Sequence, residues 1–286
     1  KDNISAVISP DRGCRGLLLL KERETESIRI DCIYPVVHGK NCEDGVLQGL
    51  LELSGIPYVG PGVAASACSM DKAITKLIAG AAGINQADYV LVTASELKAD
   101  ETATLDRVEA YFNRYPLFIK PANEGSSVGI SKVHDRAELG RGLAEAAGYD
   151  EKILVEETIV GREIETAVLG NDNPEVAKIG EIFSCNEFYD YEAKYADIGS
   201  RTGIIDDISP ELEQRIKETA VRVFKAMGCK GMSRIDFFLT EDNRIILNEL
   251  NTLPGFTSIS MYPKMWEAAG VPYPQLLDRL IALAME

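Results

Sequence analysis

GMSRIDFFLTEDNRIILNELNTLPGFT, residues 231–257, reads as two strands joined by a polar turn. GMSRIDFFL is apolar and aromatic, TEDN has turn chemistry, and RIILNEL is apolar again, which is the pattern of a β-hairpin. Side chains alternate along a strand, so Arg234 shares a face with Asp236, and Glu249 with Asn251. If the hairpin closes at TEDN the two faces coincide, and Asp236, Glu249 and Asn251 become hard oxygen ligands beside a guanidinium. Mg²⁺ takes ligands of this kind, a few carboxylates completed by water and substrate phosphates. The competing reading is a solvated hairpin face with an Arg–carboxylate pair. Charges inside runs such as IDFFL and IILNEL weigh against it, because buried charges are paired, bind a metal or cost several kcal/mol.

Upstream, PLFIKPANEGSSVGISKV (residues 116–133) reads as a strand ending in Lys120, a small polar loop and a second strand. Small residues let backbone N–H groups and the hydroxyls of Ser126 and Ser127 approach phosphate oxygens, and a lysine at the strand end supplies a point charge. It is not a P-loop, because the G-x-x-x-x-G-K-[ST] pattern is absent and no helix follows the loop. DKAITKLIAGAAG (residues 71–83) has helical periodicity, with Ile74, Leu77, Ile78 and Ala81 as its apolar positions and Lys72 at its start. KILVEETIVGREIETAVLG (residues 152–170) gives two strands around a connector. Glu156 and Glu157 close the first, and Glu163 and Glu165 alternate in the second. Such acids can accept from an adenine amino group and ribose hydroxyls, or can be edge-strand charges that discourage sheet pairing. The stretch EFYDYEAKYADIGSRTGIIDD (residues 187–207) has no sustained period and is expected to be a long functional loop of the lid type. After it, residues 208–228 form a helix with a serine cap, proline in the first turn, early acids and a closing glycine. TLPGFTSISMYP (residues 252–263) reads as a loop whose Gly255 N–H can face an anion, and the chain closes on an amphipathic helix.

The first 70 residues read as part of a small α/β unit. IRIDCIYPVVHGK ends an apolar run in a Gly-containing loop, and NCEDGVLQGLLELSGIPYVG is a helix followed by a short strand. Ligand sites in such sheets lie beyond the carboxyl ends of strands, where His38 sits. A hydrogen-bonded structural imidazole is the alternative reading of His38. Glu43 and Asp44 need no role beyond the helix macrodipole.

The chain has 286 residues, 45% of them hydrophobic, enough for two or three domains. With 30 Lys and Arg against 45 Asp and Glu, its formal charge is −15, and no basic block is present to hold a nucleic acid. No apolar run approaches the roughly 18 residues of a membrane span, and no secretion signal opens the chain, so membrane insertion is not expected and a cytoplasmic location is. Six cysteines without a C-x-x-C pair are expected to be reduced thiols.

Taken in order, HGKNCEDG, MDK, PLFIKPANEGSSVGISKV, ILVEE with GREIE, FYDYEAKY, GMSRIDFFL and LNELNTLPGFTSISMYP resemble the D-alanine–D-alanine ligase family of the ATP-grasp superfamily, across nearly the whole chain. The resemblance implies a mixed α/β ATP-grasp fold in three parts. These are a truncated N-terminal α/β domain (residues 1–70), a central ATP-grasp subdomain (71–157) and a C-terminal subdomain (158–286) holding the lid and the metal site. It implies a peptidoglycan ligase that uses ATP and Mg²⁺ (or Mn²⁺), phosphorylates the carboxylate of one D-alanine and joins it to the amine of a second. Lys72 and Lys120 match the family's phosphate lysines, Lys194 the lid lysine that reaches the γ-phosphate, and Glu156 and Glu163 the readers of adenine and ribose. Asp236, Glu249 and Asn251 match the metal ligands, Arg234 and the Gly255 N–H the oxyanion donors, and Ser126 with Tyr195 the pair that ties down the lid. His38 and Ser260 would lie near the second D-alanine, and a homodimer is implied.

Two departures stand out. Relatives open with a Gly-rich strand turn carrying a Glu that holds the first D-alanine, and this sequence does not contain it. Relatives also carry a proline near the lid's end, where this chain has SRTGIIDDIS. Tyr195 within FYDYEAKY favours an amine acceptor over D-lactate. Met261, where resistance-type relatives carry a basic residue, favours D-alanine over D-serine. The other readings are a D-alanine–D-serine ligase, an incomplete nucleotide-binding module, and an ATP-grasp ligase for another pair.

Overall fold

The computed structural model describes residues 4–125, 128–183 and 201–286. It begins with an antiparallel meander, β1 (Ser5–Ile8), β2 (Gly16–Leu20) and β3 (Thr25–Arg29). The short strand expected before residue 60 is reduced to a parallel bridge between Ile33 and Tyr58. Between them lies the expected helix, α1 (Val46–Ser54), held at both ends by glycines in the left-handed region, Gly45 and Gly55. A further helix that the pattern did not show, α2 (Val63–Met70), ends at Asp71. Asp71 then caps α3 (Lys72–Ala81) by accepting from the backbone N–H groups of Ala73 and Ile74, which makes Lys72 the first helical residue.

The face that α3 buries differs from the one expected. Leu77 is 61% exposed, whereas Lys76 is 6% exposed and lies with Ala73, Thr75 and Ala79 on the buried side. The reason is electrostatic and appears below.

The second sheet is built from β4 (Tyr89–Thr93), β5 (Leu117–Pro121), β6 (Ser131–Val133) and β7 (Lys152–Glu157), in the order β4-β7-β5-β6, all antiparallel. Helices α4 (Ala94–Ala99), α5 (Glu101–Phe112) and α6 (Arg136–Ala146) accompany it. Alternation divides its residues cleanly. Leu117, Ile119, Ile153 and Val155 pack with Leu105, Val108, Leu139 and Leu143 of α5 and α6. Leu154 turns to the other side, against Ala73 of α3, and the register puts Lys120 opposite Leu154 and Phe118 opposite Glu156 on that same side.

The third sheet contains β8 (Arg162–Gly170), β9 (Glu175–Val176), β10 (Gly180–Phe183), β11 (Arg201–Ile204), β12 (Gly231–Leu239) and β13 (Ile245–Asn251). Its order is β11-β10-β8-β12-β13, with β9 beside β8. Residues 201–204, expected to belong to the loop, instead pair with β10 from Phe183↔Arg201 to Gly180↔Ile204. Strand pairing there is decided by a partner some twenty residues upstream, which local composition does not reveal. The expected helix is α7 (Pro210–Ala226), capped by Ser209 on the N–H of Leu212. It covers one face of the sheet with Ile216, Ala220, Val223 and Phe224 against Ile164, Ile235 and Phe237.

On the opposite face, α8 (Met261–Ala268) and α9 (Tyr273–Ala284) pack through Tyr262, Met265, Trp266, Leu276 and Leu280 onto Ala167, Leu169 and Met232. The stretch before residue 261 is the loop expected, but MYPKMWEA is helical and its Met261, Tyr262 and Pro263 are buried. These two helices cover only part of the face. Along β12 the side chains on this side run Met232, Arg234, Asp236, so the face changes from apolar to charged where α8 and α9 stop.

Candidate active site

The hairpin closes as its sequence implies. Thr240 N–H donates to Arg244 at 3.1 Å, and Asn243 takes the left-handed conformation the turn needs. Arg234 pairs with Asn251 and Asp236 with Glu249, and the register then shifts between Asp236 and Phe237, which leaves Asn248 as the extra residue. On the other side of β12, Asp236 pairs with Glu165 of β8. Three carboxylates, Glu165, Asp236 and Glu249, therefore form one row across three strands.

Arg234 is the cation at this row. Its Nε donates to Asp236 Oδ1 at 2.8 Å and lies 3.1 Å from Glu165 Oε1, while its Nη2 donates to Asp236 Oδ2 at 2.7 Å. Burial would pull the guanidinium pKa down, but Asp236 and Glu165 outweigh it and raise it well above the ordinary value. Asn251 Nδ2 donates to Asp236 Oδ2 at 3.1 Å. The row sets Glu165, Asp236 and Glu249 beside the Arg234 guanidinium. No group of three or more His, Cys, Asp or Glu among the described residues is placed to hold a metal ion by itself. Two carboxylates and a carboxamide suit a hard cation that takes its remaining oxygens from phosphates and water.

Facing the hairpin is a second charged cluster. Glu156 of β7, 6% exposed, accepts from Lys76 of α3 at 2.9 Å and from Lys120 of β5 at 2.7 Å. Burial alone would raise the Glu156 pKa, and the two ammoniums override it and hold the carboxyl at about 2. Lys76 also donates to the Ala87 carbonyl at 3.1 Å and lies over the Tyr89 ring. Lys120 reaches across to Asn248 Oδ1 at 3.2 Å. The bulge that sets Asn248 out of register thus supplies the residue that links the two sheets. Backbone contacts reinforce that junction, since Leu247 N–H donates to Asn85 at 2.8 Å and Gln86 bridges Leu247. At the start of α3, Lys72 donates through Nζ to the Glu124 carbonyl and through its N–H to Ala122, both in the small-residue loop.

A third group surrounds the loop after β13. His38 Nδ1 lies 3.1 Å from the Leu253 carbonyl. Glu43 Oε2 accepts from Gly39 N–H at 2.6 Å, and the Thr252 hydroxyl lies 3.5 Å from the Glu43 carbonyl. Burial raises the Glu43 pKa, opposed by the Gly39 N–H, His38 and the Leu253 N–H and assisted by Glu249. Ser260 Oγ accepts from Thr257 N–H at 3.0 Å, and a Cβ at Gly255 would meet that oxygen at 2.6 Å, so the close approach requires glycine.

Residues 78–282 match the family described as "D-ala D-ala ligase C-terminus", and residues 8–61 match "D-ala D-ala ligase N-terminus". The chain belongs to the D-alanine–D-alanine ligase family. It is 50% identical over 281 residues to the D-alanine--D-alanine ligase of Acetivibrio thermocellus, covering 98% of this chain and 74% of the relative. Against the ligase of the same name from Caldicellulosiruptor bescii it is 51% identical over 285 residues, covering 99% and 78%. Among solved structures, the VanG D-Ala:D-Ser ligase of Enterococcus faecalis superposes with a TM-score of 0.87 at 41% identity, covering 98% of this chain and 79% of the other. The D-alanine-D-alanine ligase of Coxiella burnetii gives 0.84 at 38%, covering 99% and 74%. These neighbours have the ATP-grasp fold, and so does this chain.

With the ligase family in view, the structure sorts the residues chosen from sequence. Arg234, Asp236, Glu249 and Asn251 come together on the hairpin. Lys120 and Glu156 meet, and Lys120 joins them to the hairpin through Asn248. Glu163 sits two residues before Glu165 on β8, opposite Phe238 of β12. Glu157 goes elsewhere: it lies on the other side of β7 from Glu156, held by Arg114 and the N–H of Asp88. Met261 is 6% exposed, and its terminal methyl occupies the space where a Cβ on Gly180 would stand, so its side chain faces the core under α8. Ser126, Ser127, Lys194 and Tyr195 lie outside the described residues. The sequence does not single out Lys76, because a lysine beside leucine in a helix carries no local sign of burial. Glu165 reads in the sequence only as an alternating acid, and its cross-strand position opposite Asp236 is the signal that identifies it.

Proposed function

We propose that this chain is the ATP-dependent ligase that joins two D-alanines to D-alanyl-D-alanine for peptidoglycan synthesis. The observation that carries this reading is the facing of two opposite charge clusters, a carboxylate row organised by Arg234 and a lysine pair organised by Glu156. A nucleotide lying between them would offer its phosphates to Lys120 and Lys72 and a shared cation to Asp236, Glu249 and Asn251. When bound there, Mg²⁺ or Mn²⁺ would draw negative charge from the phosphate oxygens. The reaction follows in two displacements. A carboxylate oxygen of the first D-alanine attacks the γ-phosphorus and ADP leaves, giving an acylphosphate. The amine of the second D-alanine then attacks the acyl carbon, phosphate leaves with the C–O bond electrons, and the amine gives up a proton.

Positioning and electrostatics do most of the work in such transfers. Arg234, kept charged by its carboxylate partners, and the Gly255 N–H are the donors for the tetrahedral oxyanion, a role that supplies about 3 kcal/mol per donor in well-studied cases. Glu156 and Glu163 flank the nucleotide, Lys194 acts from the lid, the Ser126–Tyr195 pair ties the lid down, and Ser127 adds a phosphate contact. His38 and Ser260 border the acceptor amine. Met261 acts on acceptor choice from beneath α8 by fixing the position of Ser260. The protein works in the cytoplasm as a homodimer, and no described helix is long and apolar enough to cross a membrane.

Phosphate release from Mg-ATP is the test, with D-alanine, D-serine and L-alanine run in parallel. Release that needs D-alanine and yields the dipeptide is expected. D-alanyl-D-serine formed faster than D-alanyl-D-alanine at equal concentrations would move the chain to the D-serine class, and D-alanine-independent release would end the reading.

A further inference from the structure

The lysine cluster contains more charge than a phosphate contact needs. Among the described residues, two ammoniums, Lys76 and Lys120, share the single carboxylate of Glu156, at 2.9 and 2.7 Å. Their side chains are 6% and 12% exposed, so the surplus positive charge is held largely away from water. The two lysines are not equivalent. Lys76 is enclosed on every side, by Glu156, the Ala87 carbonyl and the Tyr89 ring. Lys120 is the penultimate residue of β5, beside the small-residue loop, and touches Asn248 of the hairpin. Only Lys120 can turn toward a ligand without leaving its partners stranded.

We propose that Lys76 is a positioning residue for the nucleotide, holding Glu156 so that Lys120 is left free to serve a phosphate. The inference rests on reading Lys120 as a phosphate ligand. Without Lys76, Lys120 and Glu156 become a neutral buried pair, and turning Lys120 to a phosphate strands a carboxylate in a dry site, which is strongly unfavourable. With Lys76 present, Glu156 keeps a full ion pair whichever way Lys120 points. The lysine on the helix therefore acts on the nucleotide without touching it.

The experiment measures equilibrium binding of a non-hydrolysable ATP analogue with Mg²⁺ by calorimetry, without D-alanine, together with thermal unfolding of each protein. Lys76→Met should weaken binding by about tenfold or more, the size of coupling that neighbouring buried charges show. Adding Glu156→Gln to that variant removes the charge that captures Lys120, while the amide keeps an acceptor oxygen. The double variant should bind the analogue at least about threefold more tightly than Lys76→Met, while unfolding earlier than it, because Lys120 then has no carboxylate partner in the free protein. Glu156→Gln alone should lose stability through ammonium repulsion and weaken binding by about threefold at most, less than Lys76→Met does, because its amide oxygen can still accept from the nucleotide. A double variant that binds the analogue no better than Lys76→Met overturns the proposal, because lost packing at Lys76 cannot be repaired by changing Glu156. Glu156→Gln weakening the analogue as much as Lys76→Met overturns it too, since the loss would then come from the Glu156 contact to the nucleotide and not from the capture of Lys120. These readouts do not use ligation, so they are separate from a failure of D-alanine-dependent phosphate release in the wild type.

Discussion

Glu156 and Asp236 are both acids inside apolar strands, and the structure gives them opposite consequences. Glu156 has its carboxyl held at about 2 against an ordinary 4.5. Its folded pKa lies below the unfolded one, so the stability it contributes is complete above about pH 4.5 and is lost as pH falls toward 2. The contribution is on the order of 3 kcal/mol. Chemical denaturation between pH 6 and about 3 should show this loss in the wild type and a flatter profile in Glu156→Gln. Asp236 is held by Arg234 and Asn251, and removing it takes from the buried guanidinium its doubly bonded carboxylate, leaving Glu165 and the more distant Glu249. Asp236→Asn should reduce phosphate release at least about 100-fold, as loss of a metal ligand and of an oxyanion-donor partner would require. Retained turnover would remove the hairpin from the active site.

Capping and close packing determine which elements carry these residues. Ser209 caps α7, and Ser209→Ala should lower stability by about 1 kcal/mol without changing D-alanine kinetics. Gly142 on α6 is a more stringent position. A Cβ there would meet Ile119 Cδ1 at 2.5 Å and Ser131 Oγ at 2.8 Å, the residues beside Lys120 and at the start of β6. Gly142→Ala should cost about 1–3 kcal/mol by pushing α6 off the sheet, measured as a shift in the urea midpoint. The hairpin was the most legible element in the sequence, because TEDN and alternation define both its ends and its faces. Its bulge was not legible. Nothing in RIILNEL marks Asn248 as unpaired, yet that shift turns Asn248 toward Lys120.

At the scale of the whole molecule, Glu43 stands where distant parts of the chain meet. Its carboxylate accepts from Gly39 in its own loop and is drawn down by the Leu253 N–H beyond the hairpin, and its carbonyl lies 3.5 Å from the Thr252 hydroxyl. Its neighbour Asp44 accepts only locally, from the N–H groups of Asn41 and Val46. Glu43→Ala should therefore raise the KM for D-alanine by about tenfold at saturating ATP by releasing the loop that bears Gly255. Asp44→Ala should leave that KM within about twofold. Equal effects from the two would show that Glu43 only folds its own loop. The sequence accounted for Glu43 by the helix dipole alone, because its second partner lies more than two hundred residues away.

Local sequence determined what periodicity and turn chemistry can encode: the hairpin and its charged face, the strand ending in Lys120 with its small-residue loop, the capped helix α7, and, through motif order, the family. Tertiary structure alone decided which charges share a partner. Lys76 is buried and Leu77 exposed on α3 because Glu156 from another element stands over the helix, and an ion pair of that kind overrides the apolar stripe. Glu156 and Glu157 part ways because adjacent strand residues point to opposite faces, and only the packing of α3 says which face is the site. Met261 turns into the core because α8 exists, and α8 forms by burying Met261, Tyr262 and Trp266 on a sheet the local sequence does not contain. Short-range pattern specifies elements and chemistry, while desolvation specifies partners, since the energy of a charge depends on what remains around it once water has gone.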